Sequence, residues 1–184
     1  SQLKNIEETA DIVLIDDCSE QHYKQVNQKV GQLHKYIELE QNIGRAKIRN
    51  LFLKYTTADY LLFLDCDSKI VTNNFIQNYI DSINKNKNVA LFCGGRNYSE
   101  VTPKKEKMLS WVYGIKRESK PYKERQQNPY LSFMTNNFMV KRTVLSSIPF
   151  DERLTKYGHE DTLFGHYLKQ HSMEISHIEN PVLN

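Results

Sequence analysis

The chain has 184 residues, 39% of them hydrophobic and 26% charged, with a formal net charge of +3. That is enough apolar content for one sizeable core, and no stretch reads as a linker, so a single domain over 1–184 is expected. The charge is mild and its Lys and Arg are spread along the chain, which argues against nucleic acid as a partner, and no apolar run approaches the ~20 residues of a membrane span. In chain order, Leu3 and Ile6 suggest the tail of a helix, and Asp11-Ile-Val-Leu-Ile-Asp-Asp-Cys-Ser19 reads as a buried strand with polar groups at its C-terminal end. Val26, Val30 and Leu33 fall at helical spacing, Tyr36 to Leu39 form a short strand, and Asn42-Ile-Gly44 is a turn signal. Ile48, Leu51, Phe52 and Tyr55 then repeat at i, i+3, i+4, i+7 with Arg45, Lys47, Arg49 and Lys54 among them, which predicts an amphipathic helix.

The next stretch is Tyr60-Leu-Leu-Phe-Leu-Asp-Cys-Asp-Ser68, a buried strand running into two carboxylates one residue apart. A helix with Phe75, Ile76, Tyr79, Ile80 and Ile83 on one face follows, entered through the capping residues Thr72-Asn-Asn74. Val89-Ala-Leu-Phe-Cys93 is a short strand closed by Gly94-Gly95. From Pro103 to Arg125, eight Lys or Arg stand against three Glu; Met108, Leu109, Val112 and Ile115 predict one amphipathic helix there, and the segment reads as a mobile or partner-binding excursion from the sheet. Phe138-Met-Val140 is a strand, Val144 to Ile148 a short helical turn and Pro149 to Glu152 a loop. Gly158-His-Glu-Asp161 precedes a helix with Leu163, Phe164, Tyr167 and Leu168 on its buried face, and Met173 to Ile178 is an edge strand. Strands alternating with helices predict an α/β fold, a sheet with helices on both faces.

Cys18, Cys66 and Cys93 are odd in number and widely separated, which favours reduced thiols in a cytoplasmic setting over a disulfide framework or a zinc site. The first residue is Ser1 and no signal peptide opens the chain, so a cut or processed piece is expected, with elements missing at either end.

Three acid clusters carry the chemistry. Asp16-Asp17 follows a strand, where open α/β sheets bind ligands, although a turn with a helix cap explains the pair as well. Asp65 and Asp67 point the same way and repel each other without a cation, and hard oxygen ligands suit Mg²⁺ or Mn²⁺. Glu160-Asp161 opens a helix, where free N–H groups and the helix dipole stabilise carboxylates; a plain helix cap is the competing reading.

These residues, together with Asn42-x-Gly44, Arg49-Asn50, Thr135-Asn136-Asn137 and Phe150-Asp151-Glu152, resemble the successive motifs of family-2 glycosyltransferases in order and spacing, from near residue 10 to near residue 165. The resemblance implies the GT-A nucleotide-sugar-binding fold, with a mostly parallel central sheet, a nucleoside-diphosphate sugar donor such as a UDP-sugar, a divalent Mn or Mg ion, and inversion at the anomeric carbon. By resemblance, Asp17 contacts the base of the donor, with Asp16 beside it, and Asp65 contacts its ribose or sugar. Asp67 ligates the metal with Asp65 next to it, and Asp161 is the catalytic base, with Glu160 positioning the base or the acceptor. The family implies a hexosyl or N-acetylhexosaminyl transfer to a glycan or glycolipid hydroxyl in polysaccharide biosynthesis.

Two departures stand out. The apolar strand with a Pro-x-Tyr-Asn-like turn that opens family members does not precede Ser1, so the fold is expected to be short of its first strand. The second departure concerns the late histidine that serves many relatives as a metal ligand: either Asn184 occupies its place or the histidine lies beyond the cut, and His177 is read as structural rather than as a substitute. Residues 103–125 could meet donor phosphates, an acidic acceptor or an anionic membrane at the inner face, against a merely solvated basic face. Trp111 and Tyr113 could stack on a sugar, and Asn136 and Asn137 could bind sugar hydroxyls, where helix packing and turn formation are the plainer uses. His159 could support the acid pair, though it reads more simply as a loop histidine without function. Two rival functions use the same residues: a haloacid-dehalogenase-type phosphatase, whose Asp-x-Asp motif does not continue into a Lys such as Lys69, and a module that binds sugar nucleotide or glycan without turnover.

Overall fold

A computed structural model describes residues 10–184 except Leu33, Lys156 and Tyr157, so the expected helix tail at Leu3 and Ile6 lies outside the described residues. Strands β1 (Val13–Asp16) and β2 (Lys35–Glu38) pair in parallel, joined by helix α1 (Gln21–Gly31). Helix α2 (Arg45–Tyr55) leads into β3 (Tyr60–Leu64), the short β4 (Lys69–Ile70), helix α3 (Phe75–Lys85), β5 (Leu91–Cys93) and the short β6 (Arg96–Asn97). A helical excursion follows, with α4 (Met108–Tyr113) and α5 (Tyr122–Gln127). The chain then returns through β7 (Asn137–Lys141), α6 (Arg142–Ser147), α7 (Glu160–Gln170), β8 (Ile175–His177) and β9 (Val182–Leu183).

The central sheet has the order β3-β7-β5-β8. β7 is antiparallel to both β3 and β5, and β5 is parallel to β8, so three of its four strands run one way with β7 reversed between them. β8 lies at an edge, as expected. The period-2 alternation of these strands divides the core between two faces. Leu61, Phe63, Leu91, Cys93, Phe138 and Val140 pack on one face with Leu145, Phe150, Phe164 and Leu168, which come from α6, α7 and the loop between them. Phe92 and Met139 turn to the other face and pack with Phe75 and Tyr79 of α3. Asn74 stands at the N-cap of α3, but no side-chain hydrogen bond closes the cap that Thr72-Asn-Asn74 predicts.

The 103–125 segment differs from its expectation. Leu109 is 83% exposed and Ile115 is also exposed, so the apolar spacing there does not mark a buried face. Arg125, counted in the sequence among the solvated basic residues, is 3% exposed. Its guanidinium donates to the carbonyls of Lys120 (3.1 Å), Cys93 (3.1 Å), Gly94 (3.0 Å) and Ile178 (2.9 Å), and to Nδ1 of His177 (2.9 Å). The backbone carbonyls thus replace the water a buried cation would lose, and the excursion is tied to the ends of β5 and β8.

Candidate functional site

Helix α2 collects all three acid clusters. At its N-terminus the Asp17 carboxylate accepts the N–H groups of Ile43 (2.7 Å) and Gly44 (3.1 Å), and the Asp17 carbonyl accepts the Asn42 amide (3.1 Å). Backbone N–H groups at a helix start are free to bind anions, which explains why a carboxylate from another element settles there. Gly44 makes the entry possible with φ 85°, in the left-handed region that favours glycine.

One turn later the helix carries Arg45 and Arg49. Arg45 pairs with Glu160 (2.5 Å) and Asp65 (3.5 Å); Arg49 lies 3.6 Å from each. Arg49 is buried, donates to Thr135 Oγ1 (2.9 Å) and lies over the Phe150 ring. Burial and the neighbouring Arg45 lower its pKa, against the pull of Asp65 and Glu160. Burial pushes the Asp65 carboxyl above its ordinary value, with Arg45 and Arg49 opposing. The next residue of α2, Asn50, holds the Phe150-Asp151-Glu152 loop through the Phe150 carbonyl and N–H and the Glu152 carboxylate. Sequence spacing alone treats Arg45 and Arg49 as part of a polar face, yet they bridge the end of β3 to the start of α7. The available signal is their separation of four residues, which puts both on one side of a helix.

The acids differ in their surroundings. Asp16 is buried and fully used inside the fold, accepting from the Ser19 N–H (2.7 Å), Asn27 (2.9 Å) and the Tyr36 hydroxyl (3.1 Å). Burial alone would raise its pKa, but these bonds hold it below the ordinary value, and the same environment pushes Tyr36 up to about 12. Asp67 is exposed, and among the described residues none donates a hydrogen bond to it. Asp161 sits at the first turn of α7, and among the described residues its carboxylate is bonded only to Thr162. His159, immediately before α7, is left-handed at φ 68°, and Cys18, immediately after Asp17, is left-handed at φ 64°. Strained residues therefore flank two of the three clusters, as is common where a side chain is aimed at a ligand.

β4 and β6 pair with β9, which brings Asn184 beside Ser68, at 3.5 Å between Oδ1 and Oγ. Among the described residues, no three His, Cys, Asp or Glu side chains gather as a metal-holding group. The donors present, Asp65, Asp67 and the Asn184 amide oxygen, are all oxygen, which fits a hard divalent ion that shares its shell with substrate phosphates and water. His177 is not part of this set. Its Nε2 donates to the Pro129 carbonyl (2.9 Å), its Nδ1 accepts from Arg125, and burial lowers its pKa to about 4.

Asn136 is the residue whose environment is least complete. It is 1% exposed, its carbonyl accepts the Asp65 N–H (3.0 Å), and among the described residues neither side-chain polar atom has a hydrogen-bond partner. A buried amide with no partner is the kind of group a bound ligand or water completes. Asn137, by contrast, is spent inside the fold on Tyr79, Gly95 and Asn180. A cleft of about 710 Å³ runs along the outer side of α7 against residues 127–131. His159 and Thr162 line it, but none of the six acids does.

An α/β sheet that delivers paired acids to one end, with a helix binding acids from three separate clusters, defines a class of ligand-binding α/β domain. Residues 1–148 match the sequence model of glycosyl transferase family 2, and the chain belongs to that family. No curated protein sequence matches it significantly. Solved structures with the same GT-A fold include TarS from S. aureus (residues 1–349), at 21% identity and TM-score 0.66, with 94% of this chain matching 50% of that one. The mannosyltransferase PcManGT from Pyrobaculum calidifontis, in complex with GDP-Man and Mn²⁺, is 12% identical with TM-score 0.66, covering 95% of this chain and 47% of that one. GalNAc-T7 with UDP, GalNAc and Mn²⁺ is 15% identical with TM-score 0.69, covering 95% and 37%. The chain thus spans about half the length of TarS 1–349. No helix among the described residues is long and apolar enough to cross a membrane.

Proposed function

We propose that this chain is the catalytic domain, over 1–184, of an inverting glycosyltransferase. It moves a hexosyl or N-acetylhexosaminyl unit from a nucleoside-diphosphate donor, a UDP-sugar, to a hydroxyl of a glycan or glycolipid acceptor. The carrying observation is the pair of α2 arginines that holds Asp65, from the strand end, and Glu160, from the base-bearing helix, in one site. Donor and acceptor chemistry need acids from separate parts of the chain to face one centre, and this bridge supplies that arrangement.

In this reading Asp17 and Asp16 border the base of the donor and Asp65 its ribose or sugar. Asp67, with Asp65 beside it, holds a Mg²⁺ or Mn²⁺ ion, whose contribution when bound is Lewis-acid neutralisation of charge on the departing diphosphate. The nucleotide and Mn²⁺ named with PcManGT and GalNAc-T7 support this assignment. Asp161 takes the proton of the attacking hydroxyl while Glu160, fixed by Arg45, positions it. The acceptor approaches past His159 and Thr162 from the cleft along α7. Work in polysaccharide biosynthesis at the cytoplasmic, inner face of a membrane fits an acceptor of this kind.

The test is release of nucleoside diphosphate from a panel of UDP- and GDP-sugars by the full-length protein. Asp67→Ala should abolish metal-dependent donor binding in calorimetry. Asp161→Asn should keep donor binding and lower turnover by about 10³-fold. Donor binding without any turnover in the wild type would leave a binding module, and normal turnover in the Asn variant would remove Asp161 from the base role.

A further inference from the structure

The excursion between β6 and β7 has an inner side that is tightly fixed and an outer side that carries exposed side chains. Trp111 Nε1 donates to the Ser99 carbonyl (2.8 Å), and Gly114 packs so closely on the Tyr98 ring that a Cβ would not fit. Glu118 accepts from Arg96 (2.9 Å) and from the Tyr98 hydroxyl, and Arg125 is bound to the ends of β5 and β8. The α4 helix is therefore held in a fixed orientation.

That orientation turns apolar side chains outward. Leu109 and Tyr113, one helical turn apart, are 83% and 59% exposed, and Val101 in the segment leading to the helix is 77% exposed. Seven Lys and Arg between Lys104 and Lys123 are exposed in the same stretch, against the exposed acids Glu100, Glu106 and Glu124. Large exposed apolar side chains at the centre of a cationic field, on a rigid helix, are the pattern of an interfacial helix that lies in the headgroup layer. An acidic polysaccharide or other polar polymer would engage the lysines but give Leu109 and Tyr113 no apolar partner, whereas an anionic bilayer serves both.

We propose that the outer face of α4, with Leu109 and Tyr113 inserted and Lys105 and Lys116 beside them, docks this protein on an anionic lipid bilayer. The proposal goes beyond the transfer reaction and rests on different residues, so vesicle binding and sugar transfer can fail separately.

Flotation of the full-length protein with phosphatidylcholine vesicles, with and without phosphatidylglycerol, tests it. The wild type should float with the anionic vesicles and not with the neutral ones, and should lose most binding at high salt. Lys105→Ala with Lys116→Ala should lower partitioning about 25-fold, near fivefold for each charge. Leu109→Ser with Tyr113→Ser should lower it by a similar factor. All four positions are exposed, and circular dichroism of each variant should match the wild type. Loss in the lysine pair with none in the Leu109 and Tyr113 pair would overturn the bilayer in favour of an acidic macromolecule. Absence of binding to the anionic vesicles by the full-length protein would overturn it.

Discussion

Asn136 puts a donor and an acceptor into a buried wall next to Asp65, and among the described residues neither is paired. An unpaired buried amide costs roughly 1–3 kcal/mol, while an apolar side chain of similar shape in the same place does not incur that cost. Asn136→Leu should therefore leave the unliganded protein as stable as the wild type or more stable by about 1 kcal/mol in urea unfolding. On the reading that the amide meets the sugar of the donor, the same variant should also weaken donor binding. A large loss of stability with donor affinity unchanged would mean that the amide serves the fold alone. At this scale the acids are legible in the sequence because each cluster directly follows an apolar strand or opens a helix. Arg49 is marked there only within the Arg49-Asn50 motif; its burial is not legible, because it comes from Thr135, Phe150 and Glu160, which lie 86 to 111 positions further along the chain.

Strand and helix positions were readable wherever periodicity was long enough to act as a signal. β3, β5, β7, α2, α3 and α7 all fall where their apolar spacing predicts. The two-residue strands β4, β6 and β9 carry no periodicity of their own and form only because they pair with one another. Helix α2 shows how the face can be misjudged: Ile48 is only partly buried, while Ala46 packs into the hydrophobic core and Arg49 turns inward toward Asp65 and Glu160. β8 gives a pH prediction. His177 holds Nδ1 toward a guanidinium, so a second proton there meets both burial and like charge, and its pKa falls to about 4 from 6.5. The unfolded chain then binds more protons than the folded one below the ordinary value, so the neutral ring's stability contribution is whole above about pH 6.5 and declines toward pH 4. The full effect is on the order of 3 kcal/mol. Thermal unfolding of His177→Gln should show less loss between those limits than the wild type, and parallel curves would refute the account.

For the molecule as a whole, alternation of strands and helices predicts the layered α/β architecture, and the two-faced core confirms it. The sharing of acids through one helix was not legible, because it depends on where three loops end in space. The β1–β2 pair is a separate sheet from the four-stranded one, and among the described residues no ladder joins them. Helix α2 and the Asp17 contacts with residues 43 and 44 link that pair to the rest. Two sheets without a shared ladder can open separately, so this protein should contain two cooperative units. Amide hydrogen exchange should then find β1 and β2 exchanging through a local opening of lower free energy than β5 and β7, each of which is paired on both sides. Because Asp17 belongs to the first unit and Asp65 to the second, a ligand that touches both would slow exchange in β1 and β2 far more than in β7.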